Sequence, residues 1–161
     1  MWPLVVVSTR YEFSQHFDVP AAQAFAWCTD YNAKDHNLMG NKGFRKVTKV
    51  TDDTVILEDT LYPQGKAETK KKIIKIDKER MSYFNFHITG ANKNSLYFYR
   101  IIPEGDGESR LEYTGYELTY PKKAPAKKQL AAAAEADAAT RTIEWARLAK
   151  AMERELRGKR S

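Results

Sequence analysis

The sequence predicts an α+β fold in which a curved antiparallel sheet of about seven strands wraps around one long C-terminal helix. Period-two alternation dominates residues 43–120, and the breaks within it are short and rich in Gly, Asp, Asn and Pro. Residues 126–157 then run without proline or glycine through alanine-rich sequence that favours a helix. Short turns between successive strands specify an antiparallel meander.

The first strand covers residues 10–19, with Tyr11, Phe13, Phe17 and Val19 on one face and Arg10, Glu12, Ser14, His16 and Asp18 on the other. Pro20 suits the first turn of a helix, and Ala24, Phe25, Trp27 and Cys28 follow at helical spacing over residues 21–29. Asp30-Tyr31-Asn32 breaks that helix. A short second helix is expected from Ala33 to about Met39, before Gly40-Asn41-Lys42-Gly43 turns the chain. Strands then follow at residues 44–50, 54–61, 66–76, 81–89, 95–102 and 109–120. The adjacent pair Ile73-Ile74 leaves the face assignment of its strand open. Pro121 and Pro125 stop the last strand. On the long helix, Leu130, Ala134, Ala138, Arg141, Trp145, Leu148, Met152 and Leu156 form one stripe that can lie in the concavity of the sheet.

A chain of 161 residues, 42% of them hydrophobic, fits one domain spanning residues 1–161 with a sizeable core. Leu4-Val5-Val6-Val7 is too short for a signal-peptide core or a membrane span, so a cytoplasmic protein is expected. The single cysteine, Cys28, cannot form an intramolecular disulfide and reads as a small buried hydrophobe in a reducing interior. The formal charge of +6 is concentrated in Lys70-Lys71-Lys72, Lys122-Lys123, Lys127-Lys128 and residues 154–160. These read as solvated lysines protecting sheet edges, with a weak anionic partner as the second reading. Three histidines without close spacing and one cysteine do not make a metal site, and no phosphate loop or nucleophile elbow is present. No cofactor is expected.

The segment Phe17-Asp18-Val19-Pro20-Ala21-Ala22-Gln23-Ala24-Phe25-Ala26-Trp27-Cys28-Thr29-Asp30 resembles the first strand and helix of the helix-grip superfamily of START, Bet v 1 and polyketide cyclase proteins. There a V-P element leads into an aromatic-bearing helix ending at Asp. The order strand, two short helices, six-stranded meander, long helix resembles that superfamily over essentially the whole chain. The resemblance implies a cavity between sheet and helix, used across the superfamily for lipids, sterols, polyketides, plant hormones and other apolar compounds. It does not imply one reaction.

Strand pairing assigns faces, because antiparallel partners share one. Pairing Pro103 with Arg110 and Thr89 with Ser95 puts Phe84, Phe86, Ile88, Leu96, Phe98, Arg100 and Ile102 with Leu111, Tyr113, Gly115 and Glu117. That face is overwhelmingly apolar and is expected to be the inner one. Met81, Tyr83, Asn85, His87, Tyr97 and Tyr99 then face outward. His16 is also outward by parity, and His36 lies in the second short helix, where the resemblance puts the cavity entrance.

Arg100 and Glu117 break the apolar rule, since a charge in a cavity is costly unless paired or held for a ligand. They either contact ligand, reach water at the mouth, or neutralise one another with Arg141. Trp145 either plugs the core or walls the site. Tyr113 offers a hydroxyl, and Gly115 lets the long helix approach the sheet. The leading expectation is binding or transport of a hydrophobic or amphipathic small molecule, contacted by Arg100, Glu117, Tyr113, Phe84, Phe86, Phe98, Arg141 and Trp145. The alternative is a cyclase- or dehydratase-like enzyme, with Glu117 or Asp59 as base and Arg100 holding a carboxylate or enolate. A third reading is a protein or nucleic-acid interaction module using Tyr83, Tyr97, Tyr99 and the basic tail.

Overall fold

The computed structural model describes residues 5–33 and 42–159. Its strands are β1 (Val7–Phe17), β2 (Gly43–Thr51), β3 (Thr54–Leu61), β4 (Glu68–Asp77), β5 (Ser82–His87), β6 (Leu96–Pro103) and β7 (Ser109–Thr119). The helices are α1 (Ala21–Cys28) and α2 (Lys127–Gly158). The strands form one antiparallel sheet in the order β1-β7-β6-β5-β4-β3-β2, a meander whose last strand returns to pair with the first. The expected second helix, from Ala33 to about Met39 with His36 in it, lies from position 34 onward outside the described residues.

The C-terminal half of α2 supplies the core. Trp145, Leu148, Ala149 and Met152 are buried against Phe17, Val19, Phe25, Leu57, Ile74, Ile101 and Leu111. Each large apolar side chain so buried contributes about 1.5–3 kcal/mol. The alanine-rich first half has a different use, because Ala134 and Ala138 are small enough to pass over the rings of Tyr11, Tyr97 and Tyr113. α2 begins with the Gln129 side chain accepting from the Ala126 N–H at 2.8 Å, one half of a capping box. Its other end is tied to the start of the chain. The Trp27 indole N–H donates to Glu155 at 2.9 Å, and the Asp18 backbone N–H donates to Glu153 at 3.1 Å.

Three expectations are corrected. Pro103 pairs with Ser109, one residue earlier than Arg110, because Ser109 is buried and anchored through its hydroxyl to the Val19 carbonyl at 2.7 Å. A one-residue slip reverses every side chain of the strands beyond it. Tyr113, Tyr99 and Tyr83 therefore line up across β7, β6 and β5 on the inner face, with Asn85 opposite Tyr97 beside them. Phe84, Phe86, Phe98 and Arg100 point to the convex outer face, where Phe98 is 43% exposed.

Gly115 faces inward as expected but serves a different neighbour. A Cβ there would lie 2.7 Å from Cζ of Tyr11, so the missing side chain makes room for a ring on the adjacent strand. Lys70, Lys71 and Lys72 do not guard an edge, because β4 lies between β3 and β5 and the edges are β1 and β2. Strand alternation turns Lys72 inward, beside Leu57 on one side and His87 on the other.

A candidate ligand site between the sheet and the long helix

A cavity of about 120 Å³ lies between the sheet and α2. Trp27, Cys28 and Tyr31 close one side, Arg141, Trp145 and Leu148 of α2 cover it, and the inner faces of β2 to β6 form its floor. The walls are aromatic. Tyr83 and Tyr99 stack with centroids 4.4 Å apart and planes 6° from parallel, and Tyr99 meets Trp145 at 5.8 Å.

The floor is charged on the β2–β4 side. Arg45 and Asp59 are cross-strand partners and make two hydrogen bonds, Nε to Oδ1 at 2.6 Å and Nη2 to Oδ2 at 3.0 Å. Lys72 Nζ reaches the same carboxylate at 3.0 Å, and all three side chains are less than one-fifth exposed. Burial pushes Asp59 up, but the Arg45 hydrogen bond and the charges of Lys72 and Arg45 outweigh it and hold the carboxyl at about 2. Burial pulls Lys72 down, opposed by Asp59 and reinforced by the Arg45 charge. Arg45 and Lys72 thus both contact the one Asp59 carboxylate.

His87 is buried beside Lys72, and burial followed by that charge lowers it to about 3. The imidazole is neutral near pH 7. The Asn92 amide donates to the Tyr97 hydroxyl at 2.9 Å and to Glu117 at 3.3 Å, so its oxygen accepts from His87 Nδ1 at 3.2 Å. This fixes the tautomer and leaves Nε2 as an acceptor. Asn85 donates to the Tyr99 hydroxyl at 3.2 Å, while its Oδ1 is buried without a partner among the described residues. Such an orphaned acceptor costs about 1–3 kcal/mol in an empty protein.

Glu117 and Tyr113 belong to a network next to the cavity. Glu117 accepts from the Tyr97 hydroxyl at 2.5 Å and from Tyr11 at 3.4 Å, and Tyr11 and Tyr113 share a 3.2 Å bond. Burial, followed by the Glu117 carboxylate, pushes the Tyr97 hydroxyl far up. Arg141 pairs with Glu144 at 2.9 Å, and its guanidinium carbon lies 5.6 Å from the centre of the Tyr97 ring. The expected cluster of Arg100, Glu117 and Arg141 is therefore not formed.

Of the residues singled out in the sequence, Arg141 and Trp145 line the cavity, and Trp145 also packs the core. Tyr113 and Glu117 are inward but engaged with tyrosines and Asn92. Phe84, Phe86, Phe98 and Arg100 are excluded by the register. On the outer face Phe98 meets Phe84 at 5.8 Å and Tyr116 at 5.9 Å, bordering a shallow open depression. Asp59 is inward, yet its low pKa makes it a poor base. Sequence reasoning missed Arg45, Lys72, Asn85, His87, Tyr97 and Tyr99. The opposite charges of Arg45 and Asp59 on neighbouring strands were the available signal. Away from the cavity, His16, Asp18 and Glu108 form an exposed cluster with ligand-type atoms within 4.8 Å of one another. His16 there is engaged by Asp18 at 3.0 Å.

A seven-stranded antiparallel sheet gripping a long C-terminal helix, with a cavity between them, is the helix-grip fold of the Bet v 1-like proteins. Solved structures of that fold superpose on nearly all of the chain. The ZhuI aromatase/cyclase from Streptomyces sp. R1128 matches with a TM-score of 0.69 at 11% identity, over 92% of this chain and 93% of its own. Norcoclaurine synthase from Thalictrum flavum matches with a TM-score of 0.68 at 15% identity, over 99% of this chain and 100% of its own. The di-domain aromatase/cyclase StfQ of the steffimycin pathway gives 0.73 at 12% identity, over 94% of this chain and 52% of that one. No protein-family model matches the sequence, and no curated protein matches it. No helix among the described residues is long and apolar enough to cross a membrane.

Proposed function

We propose that this protein is a single-domain binder, a carrier or receptor, for an amphipathic small molecule held between the sheet and α2. The observation that carries the reading is a cavity with stacked aromatic walls and a buried polar floor of Arg45, Asp59 and Lys72. Apolar walls supply affinity and a few aimed polar groups supply orientation. Neighbours described as aromatase/cyclases and norcoclaurine synthase bring a catalytic reading with them. Proton-transfer chemistry is best served by a group that titrates near neutrality. Asp59 at about 2 and His87 at about 3 lie far from it, which favours binding over turnover. The lone, half-buried Cys28 supports a reducing, cytoplasmic setting.

Native mass spectrometry of protein purified from its own host, followed by organic extraction, tests the reading. A stoichiometric small molecule is expected. A clean apo mass, together with no thermal shift across a panel of apolar and amphipathic compounds, counts against it.

A further inference from the structure

Strand β5 sends Tyr83, Asn85 and His87 to the cavity from one face, and two of these side chains hold polar atoms that the protein does not use. His87 gives its Nδ1 proton to Asn92, whose own orientation is fixed because its amide N–H groups are committed to the Tyr97 hydroxyl and the Glu117 carboxylate. The neutral ring therefore keeps a lone pair on Nε2, and no donor meets that atom among the described residues. Two positions earlier, Asn85 spends an amide N–H on Tyr99, and its Oδ1 is buried without a donor among the described residues. Turning that amide over would let Tyr99 donate to Oδ1 but would strand the NH2 group instead, so the side chain is short of a partner in either orientation.

Charge and volume limit what can answer these needs. No carboxylate lines the cavity among the described residues, so an ammonium group would be buried unpaired. The cations that line it have carboxylate partners, Arg45 and Lys72 in Asp59 and Arg141 in Glu144. A neutral group is left, and a hydroxyl serves both positions because it donates to His87 Nε2 and either donates to or accepts from the Asn85 amide. An apolar cavity of about 150 Å³ admits one benzene ring. At about 120 Å³ this one is of similar size, with Tyr99 and Trp145 as flat faces for a ring. It is small for a fused multi-ring compound or a long acyl chain.

We propose that the ligand is an uncharged, single-ring hydroxylated aromatic compound, with one hydroxyl donating to His87 Nε2 and a second meeting the Asn85 amide. This rests on the small-molecule reading above and names the chemical class. The ring lies in the aromatic slot, and the hydroxyls satisfy polar atoms of β5 that the protein leaves without partners.

The test is titration with four probes, by calorimetry and by the fluorescence of Trp27 and Trp145, which line the cavity. Three are matched in shape, meta-xylene, meta-cresol and resorcinol, in which methyl groups give way to hydroxyls one at a time; decanol is the hydroxylated chain. Each exchange is expected to tighten binding at least about threefold, because a satisfied polar atom outweighs the lost methyl contact. His87→Phe is expected to erase the advantage of meta-cresol over meta-xylene, and Asn85→Leu that of resorcinol over meta-cresol. Meta-xylene binding the unaltered protein as tightly as resorcinol overturns the proposal, whatever happens to the folding of the variants. Folded variants that keep both advantages overturn it too, and so does decanol binding more tightly than meta-cresol. Each of these leaves the binding function standing. No binding by any probe also removes the proposal, and a simultaneous blank across the broader panel removes the binding function with it.

Discussion

Replacing Asp59 with Asn keeps the shape of the side chain and removes the anion that Arg45 and Lys72 share. Both cations stay buried, since Arg45 is 8% and Lys72 18% exposed. Breaking a buried ion pair from one side costs about 3–5 kcal/mol, because the Lys72 charge is left buried without Asp59. For a chain of this length, about 2–4 °C of melting temperature corresponds to each kcal/mol, so Asp59→Asn should melt about 6–20 °C lower by circular dichroism. Replacing Lys72 with Met as well removes the cation stranded by the loss of Asp59 and should recover part of the loss.

The deficit should also depend on pH. The carboxyl is lowered from 3.8 to about 2, which corresponds to about 2–3 kcal/mol of stability at 1.36 kcal/mol per unit. Because the folded value is the lower one, this contribution is complete above the unfolded pKa and disappears as pH falls through about 2. The gap between wild type and variant should therefore narrow over that window. A loss under about 2 °C near neutrality, or a gap that ignores acid, would refute the account of the buried trio.

His87 should give a second acid-sensitive slope at higher pH. Its folded pKa is lowered from 6.5 to about 3, so the unfolded chain takes up a proton that the folded chain refuses. Stability should fall by about 2–3 kcal/mol between about pH 6.5 and 4.5 in urea titrations, and His87→Gln should flatten that slope. A wild-type stability unchanged over that range would contradict the burial of a neutral imidazole. Arg100→Ala should change stability by less than about 0.5 kcal/mol and leave ligand affinity alone, whereas Trp145→Ala should cost about 3–5 kcal/mol. The opposite ranking would mean that Arg100 faces the cavity and that the β6–β7 register is wrong.

The element order was legible because alternation and turn chemistry are local. The proline- and glycine-free run predicts a helix over residues 126–157, and α2 spans Lys127–Gly158. The cavity floor was less legible, because it depends on a single register. The Glu104 to Ser109 loop closes with the Glu104 N–H bonding the Glu108 carbonyl at 3.0 Å, and local sequence did not distinguish that closure from one a residue longer. Hydrophobic pattern offered no correction. β5 and β6 carry aromatic rings at both parities, Tyr83, Tyr97 and Tyr99 on one face and Phe84, Phe86 and Phe98 on the other. Phenylalanine is the more apolar choice, so the sequence reading puts that face inward, whereas the structure turns it outward. Lys72 was hidden for a different reason, since a triple-lysine run reads as solvated although a strand must send alternate members to opposite faces.

The two-sided aromatic pattern of β5 and β6 bears on how the chain finds its own fold. A sheet slipped by one residue would bury phenylalanines in place of tyrosines, and burial of apolar area alone scarcely separates that competitor from the native state. The hydroxyls make the distinction. Tyr97 reaches Glu117, Tyr99 receives Asn85, and Tyr11 meets Tyr113 only when the native partners face one another. Slippage would leave the half-buried Glu117 carboxylate without Tyr97, and a partly desolvated charge without its donor is penalised. The tyrosine network therefore acts as a proofreading device for strand pairing, lowering the frustration of a sequence whose hydrophobic pattern fits two answers.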